Sequence, residues 1–180
     1  MNARSPPYYY VSANSGVEIL RTTIVGKPIA LSRPRVSKGQ IYSPDGNAIA
    51  AFRNAVKSSV VVPPSIQATT KPRKAKKGDE SALYYGVWVI FNMPRPKYHF
   101  VNNDEGRRVK AHFSGNRFVG KRPDLDNMVK FILDALNGVA YQDDKSVVEL
   151  HTIKKWANDE NNLGSTSILV KKFDTNKMEE

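Results

Sequence analysis

Apolar residues in this chain follow two periods, one close to two and one close to 3.6. Val17 to Val25 carries β-branched residues in partial alternation and reads as a strand, ended by Gly26-Lys27-Pro28. Ser43-Pro44 reads as an N-cap with proline at the first helical position, opening a helix that runs to about Ser58. In that helix Ile49, Phe52 and Val56 share one face, which predicts a core contact. Leu83 to Met93 is the strongest strand signal, closed by Pro94 and Pro96. Asp126 to Asn137 predicts a second amphipathic helix, with Gly138 just past its end. Ser146 to Trp156 and Ser165 to Lys172 read as two further strands, and Trp88 and Trp156 fall at strand positions that suit a core.

The order β-α-β, then α-β-β, predicts an α+β fold in two layers: a mixed β-sheet with two main helices packed on it. Three of the four strands are expected to lie side by side and antiparallel. Residues 17–173 make one domain, preceded by an arm over 1–16 and followed by a charged tail over 174–180. Two stretches without periodicity, 63–81 and 97–122, read as basic loops.

Composition narrows the partners. The chain has 180 residues, enough for one domain with a core of its own, and a formal net charge of +11. That balance favours nucleic acid or another anionic surface. There are no cysteines, so a disulfide framework and a zinc-thiolate site are excluded. No apolar run approaches the ~20 residues of a membrane span. The N-terminus lacks the apolar core of a secretory leader. An intracellular protein with an anionic partner and no membrane is the expectation, and with no glycine-rich phosphate loop in the sequence no nucleotide cofactor is expected.

Against that basic background, Asp124, Asp126, Asp143 and Asp144 gather in one short stretch framed by cations. If Asp124-Leu125-Asp126 is extended, both carboxylates share a face and Leu125 points to the core. Asp143-Asp144 follows after one helix and one turn, so the chain is expected to bring it back beside Asp124. Two carboxylates 4 Å apart repel by about 4 kcal/mol at an effective dielectric of about 20. Either one takes up a proton or a divalent cation sits between them. Oxygen-only ligands favour Mg²⁺, with Mn²⁺ as a substitute, and leave positions open for water and phosphate oxygens. Such a centre suits phosphodiester hydrolysis. Lys130, four residues after Asp126, either pairs with it or reaches the phosphate. Taken singly, these aspartates also read as a helix cap and a turn before a strand.

At these residues the sequence resembles the RusA-like endodeoxyribonucleases, the Holliday junction resolvases of bacteria and phages. The resemblance rests on Arg122-Pro123-Asp124-Leu125-Asp126-Asn127, Lys130, Asp134-Ala135-Leu136-Asn137-Gly138, Tyr141-Gln142-Asp143-Asp144-Lys145-Ser146, and Lys154-Lys155 beyond. Gly26-Lys27-Pro28, Arg33-Pro34-Arg35-Val36 and Tyr42-Ser43-Pro44 resemble the family's first half. The resemblance implies metal-binding acids at Asp124, Asp126 and Asp144 and an essential lysine at Lys130; Asp143, next to Asp144, is expected to assist in holding the metal. It further implies a homodimer that cuts a four-way junction by paired symmetric nicks with magnesium. The arm and the two long loops depart from the family's shorter members and bear on substrate preference and on the dimer.

Phosphate contacts are expected from Arg33, Arg35, Lys38, Arg107, Arg108, Arg117, Lys121 and Arg122. The run Lys71-Pro72-Arg73-Lys74-Ala75-Lys76-Lys77 reads as a basic arm. Phe113 and Phe118, set among cations, are candidates for stacking on bases at a branch point. Two other functions compete: a catalytically silent binder of branched DNA, which gains nothing from acids placed next to phosphates, and a flap or general branch nuclease using the same acids.

Overall fold

Strand β4 (Tyr84–Met93) is central to the sheet because it is apolar on both faces, and its Tyr85, Val87, Val89, Phe91 and Met93 turn inward. In the computed structural model, which describes residues 16–33, 35–37, 39–42, 44–59, 83–103, 106–115, 117–158 and 162–173, the main sheet is four-stranded. Its other members are β1 (Val17–Val25), β7 (Val147–Trp156) and β8 (Ser165–Phe173), in the order β1-β8-β4-β7. β8 is antiparallel to both β1 and β4, and β7 is parallel to β4. The mixed sheet and its three antiparallel neighbours match the pattern expected from the sequence.

A parallel neighbour requires a crossover. The chain supplies it through α3 (Leu125–Leu136), which packs with α1 (Gly46–Ser59) on one face of the sheet. The apolar side of α3 buries Met128, Val129, Phe131, Ile132, Ala135 and Leu136. Phe52 and Val56 are buried on α1, and Phe52 meets Phe131 edge-on with ring centroids 5.5 Å apart. Each fully buried side chain of this kind contributes about 1.5–3 kcal/mol through removal from water. Gly138, at φ 74°, turns the chain out of α3 in a conformation that glycine adopts without strain.

Several expectations need correction. Helix α1 begins at Gly46 rather than Pro44. Asp45 takes the cap position, since its carbonyl accepts from the Ile49 N–H at 2.9 Å, while Pro44 lies in the preceding turn. The proposed cap Ser43 falls outside the described residues, as do residues 1–15, the loop 63–81 with its basic run, Lys38 and the tail 174–180.

The stretch 97–122 is not simply a loop. It holds a 3-10 turn (Lys97–His99), the hairpin β5 (Phe100–Asn103) and β6 (Gly106–Val109), and one helical turn, α2 (Ala111–Ser114). A second small hairpin joins β2 (Arg35–Ser37) to β3 (Gln40–Tyr42). The hairpin over 100–109 is short and polar, so it lacks the long apolar alternation that marks a strand. Trp156 is in the core as expected, but Trp88 is not. It points to the sheet face away from the helices, where its ring stacks on His151 at 5.5 Å between centroids.

Candidate active site

Asp124 sits at the N-cap position of α3 with extended backbone (φ −72°, ψ 142°), and its carbonyl accepts from the Met128 N–H. An aspartate here ordinarily caps the helix through its side chain. Asp124 makes no such hydrogen bond, so its carboxylate is left for another partner. Asp126 lies one residue into the helix, within the first turn, where the helix dipole favours negative charge. The Asp-Leu-Asp segment is therefore not extended throughout, because the helix begins at Leu125, which still packs against the core. Lys130 stands 3.6 Å from Asp126 Oδ2, an exposed pair one turn apart. Such pairs stabilise a fold by well under about 1 kcal/mol, so this one contributes little to stability.

The turn that carries Asp124 is fastened to the sheet. Residues Arg117–Val119 run antiparallel to the end of β7: the Trp156 N–H donates to Arg117 O at 3.0 Å and the Val119 N–H to Lys154 O at 3.3 Å. The Lys154 ammonium then donates to Lys121 O and Pro123 O, both at 2.7 Å. The Arg122–Pro123 peptide within this turn is cis. On the other side, the Leu31 N–H donates to Asn127 O at 2.9 Å, and the Ser32 hydroxyl donates to Asp45 at 3.0 Å. These bonds carry the chain past the start of α3 and leave exposed Arg33 and Arg35 close by in sequence.

Asp143 and Asp144 lie elsewhere. Asp144 opens the 3-10 turn before β7, beyond the C-terminal end of α3. Its neighbours are Asp134 and Tyr141. Burial, then the charge of Asp144, push the Asp134 carboxyl above the usual carboxylate range, against the opposing pull of Arg53. Burial, then Asp144 and Asp134, push the Tyr141 hydroxyl up as well. The Arg53 guanidinium closes this end of α3 by donating to Asp134 O at 2.9 Å and Ala135 O at 3.2 Å. Asp143 accepts from the Lys145 N–H at 3.0 Å, which holds its carboxyl below the usual range.

Twelve residues of helix rise about 18 Å. The expected return of Asp143-Asp144 to Asp124 within one chain therefore does not occur. Among the described residues no three acidic or histidine side chains lie close enough to hold one metal ion. Asp124 and Asp126 are two exposed carboxylates at the start of α3, oxygen donors of the kind magnesium takes, and among the described residues no third acidic or histidine side chain joins them.

The cations divide into groups. Arg107 and Arg108 are exposed on β6, with Arg107 lying 3.8 Å over the Phe100 ring. Lys121 donates to the Tyr98 hydroxyl at 2.8 Å, and Arg117 and Arg122 are exposed. Phe118 is 65% exposed and free to meet a base, whereas Phe113 stacks on buried His99 at 3.9 Å and is committed to the fold. Sequence reasoning gave no role to Lys154, Arg53 or Arg95. For Lys154 a signal existed: it takes the register of Phe91, an inward position where strand alternation calls for an apolar side chain.

A basic two-layer α+β domain with exposed acids at a helix N-terminus, next in sequence to Lys121 and Arg122 and paired with Lys130, suits work on nucleic acid. The family profile described as Endodeoxyribonuclease RusA matches residues 26–164, and the chain belongs to this family of Holliday junction endonucleases. It is also similar to the uncharacterized protein YqaN of Bacillus subtilis (strain 168), at 27% identity over 140 residues, which is 77% of this chain and 88% of that protein. Among the described residues no helix is long and apolar enough to cross a membrane.

Proposed function

We propose that the protein is a magnesium-dependent resolvase that cuts four-way DNA junctions by paired symmetric nicks, working as a homodimer. The observation that carries this reading is the uncapped carboxylate of Asp124 beside Asp126 in a chain of the RusA endodeoxyribonuclease family. Asp124 and Asp126 would hold the ion, with Asp144 and Asp143 completing the set. Because α3 separates the two groups, the set comes together between copies. The Asp124 end of one subunit faces the Asp144 end of the other, and two-fold symmetry repeats the arrangement to give two sites.

When bound, magnesium supplies charge neutralisation at the phosphate and eases deprotonation of water. The chain's own groups do the rest. Lys130 offsets charge that develops on the phosphate. Lys154 fixes the backbone ahead of Asp124. Arg33, Arg35, Arg107, Arg108, Lys121 and Arg122 draw in the backbone of branched DNA, and Phe118 offers a stacking surface at the branch.

The test is cleavage of a synthetic four-way junction and a matched linear duplex with magnesium, with chelator, and with Asp126→Asn. Opposed nicks on the junction alone, lost in chelator and in the variant, are expected. Equal cutting of flaps and junctions would favour a general branch nuclease, and tight binding without cleavage a silent binder. Mixing Asp126→Asn with Asp144→Asn subunits separates shared sites from single-chain sites. A shared arrangement regenerates one intact site per mixed dimer and restores nicking, whereas a single-chain site stays dead.

A further inference from the structure

Strand β7 is one edge of the main sheet, since the order β1-β8-β4-β7 gives it β4 as its neighbour on one side and ends there. Its last residues are covered on the other side. The Trp156 N–H and Lys154 O point outward and meet Arg117 O and the Val119 N–H. Outward backbone groups recur at every second residue of a strand, and the register of β7 on β4 runs unbroken from Glu149 to Trp156. The N–H and C=O groups of Leu150 and Thr152 therefore point to the same edge. Among the described residues nothing pairs with them.

An edge of this kind recruits another strand unless it is defended, most often by lysine or proline. Residues 147–153 contain neither. Beside the open backbone stand Val148, at 58% exposure, and Leu150, at 41%.

The two ends of β7 differ in charge. Asp143 and Asp144 precede it, with Asp134 a neighbour of Asp144. At the other end Lys154 is clamped to the turn that carries Lys121 and Arg122, and Arg117 lies on the paired segment. A copy laid parallel would set like ends together. A copy laid antiparallel sets the acidic end against the basic end, and a two-fold axis does so twice. β1, the other edge strand, carries none of these aspartates and would leave them apart.

We propose that the open edge of β7 pairs antiparallel with the β7 edge of a second copy of this chain, about a two-fold axis near Leu150, joining two four-stranded sheets into one of eight strands. This rests on the homodimer of the resolvase reading given above and names the surface that builds its shared site. Leu150 is the middle of residues 147–153, the part of the strand that Arg117–Val119 leaves uncovered. Val147 then lies beside Ile153 of the partner subunit, and Asp144 comes to the turn that precedes Asp124 of the partner subunit. Paired strands lie about 4.8 Å apart, so the about 18 Å that α3 puts between the two acidic groups of one chain is bypassed across the axis.

The chain has no cysteine, so single cysteines report position without background. Cysteine is placed in turn at Val148, Leu150 and Thr152, and at Val25 on the opposite edge as a control, and each protein is treated with a short bis-maleimide. Cross-linked dimers are expected, most of all from Leu150→Cys and almost none from Val25→Cys. A second measurement uses charge. A residue near the axis faces its own copy, so Leu150→Lys and Leu150→Glu each bring like charges together. Each should raise the dimer dissociation constant in sedimentation by on the order of a hundredfold, and mixing the two in equal amounts should restore the dimer.

A circular dichroism spectrum that matches the unmodified protein shows that the charge variants are folded; if they are not, the cysteine series decides alone. Cross-linking as strong at Val25 as at Leu150, a dimer unmoved by Leu150→Lys, or an unmodified protein that is monomeric where it binds the junction overturns the edge pairing. Junction cleavage by the unmodified protein judges the resolvase reading separately. A protein that cuts the junction but fails the cross-linking keeps that reading and loses this interface. One that cross-links through Leu150 but cuts no junction keeps the interface and loses the resolvase reading.

Discussion

Lys154 holds Pro123: a lysine at the end of the parallel edge strand donates a 2.7 Å hydrogen bond to the carbonyl that directly precedes Asp124. A second bond of equal length to Lys121 O makes the ammonium a two-point clamp on the turn. Hydrogen bonds from a charged donor stabilise by about 1.5–3 kcal/mol, enough to fix the backbone but not to hold the fold. Lys154→Met should therefore lower the rate of junction cleavage by about tenfold or more while the dissociation constant moves by less than about threefold. Single-turnover cleavage and chelator binding measure the two separately. A matching loss in both would assign Lys154 to DNA contact rather than to positioning.

Lys130 offers a contrasting case on the other flank of Asp126. Its ion pair is exposed, so Lys130→Ala should leave the melting temperature within a degree or two. Turnover should fall by about a hundredfold if the ammonium meets charge that builds up at the phosphate. An unchanged rate would return Lys130 to the role of a surface partner of Asp126.

His99 predicts a pH dependence of stability. It is 3% exposed, and burial, followed by Arg95, Lys121, His112 and Lys110, holds its imidazole below the ordinary value of 6.5. The unfolded chain binds that proton near 6.5 and the folded chain does not, so stability falls as pH drops below that value and recovers above it. The His99 Nδ1 has no hydrogen-bond partner among the described residues, and Phe113 stacks on the ring. His99→Phe should flatten the acid limb of a urea-midpoint profile between about pH 5 and 7, a range set by the ordinary histidine value. A variant with the same acid limb as the unmodified protein would place the titration elsewhere.

Phe118 is 65% exposed on a segment paired with the end of β7, so removing its ring should cost little stability. Phe118→Ala should weaken binding to a four-way junction by about five- to a hundredfold if the ring stacks on an opened base. Affinity for intact linear duplex should stay level, since a duplex presents no free base face there. Equal losses on both substrates would make the ring a general packing surface.

Much of the frame was legible because it rests on period and length. β4 carries ten residues of apolar sequence, and α3 repeats its apolar face over twelve, so neither competes with another reading. The hairpin β5–β6 was not legible, since four residues per strand, apolar only at Phe100, Val101 and Val109, leave no alternation to detect. The acids themselves were legible as residues but not as a place. Spacing along the chain suggested that Asp144 comes back to Asp124, but α3 must first carry the chain about 18 Å away, and β7 begins at that far end. Arg53 escaped notice, and the role of Lys154 did too although its position in the motif was seen, because their targets are backbone carbonyls, which any sequence offers everywhere.

Strand β7 has Asp144 in the turn that leads into it and Lys154 near its last residue, so its two ends are fixed points a set distance apart. If two subunits share their acids, the gap between the two cutting points on DNA equals the gap between the ends of this strand and of α3 alongside it. That gap is counted in residues of regular structure and does not stretch as a loop would. Adding or removing a single residue in β7 would turn Lys154 to the opposite face of the sheet and release the turn it clamps. The hairpin β5–β6 is no part of that span.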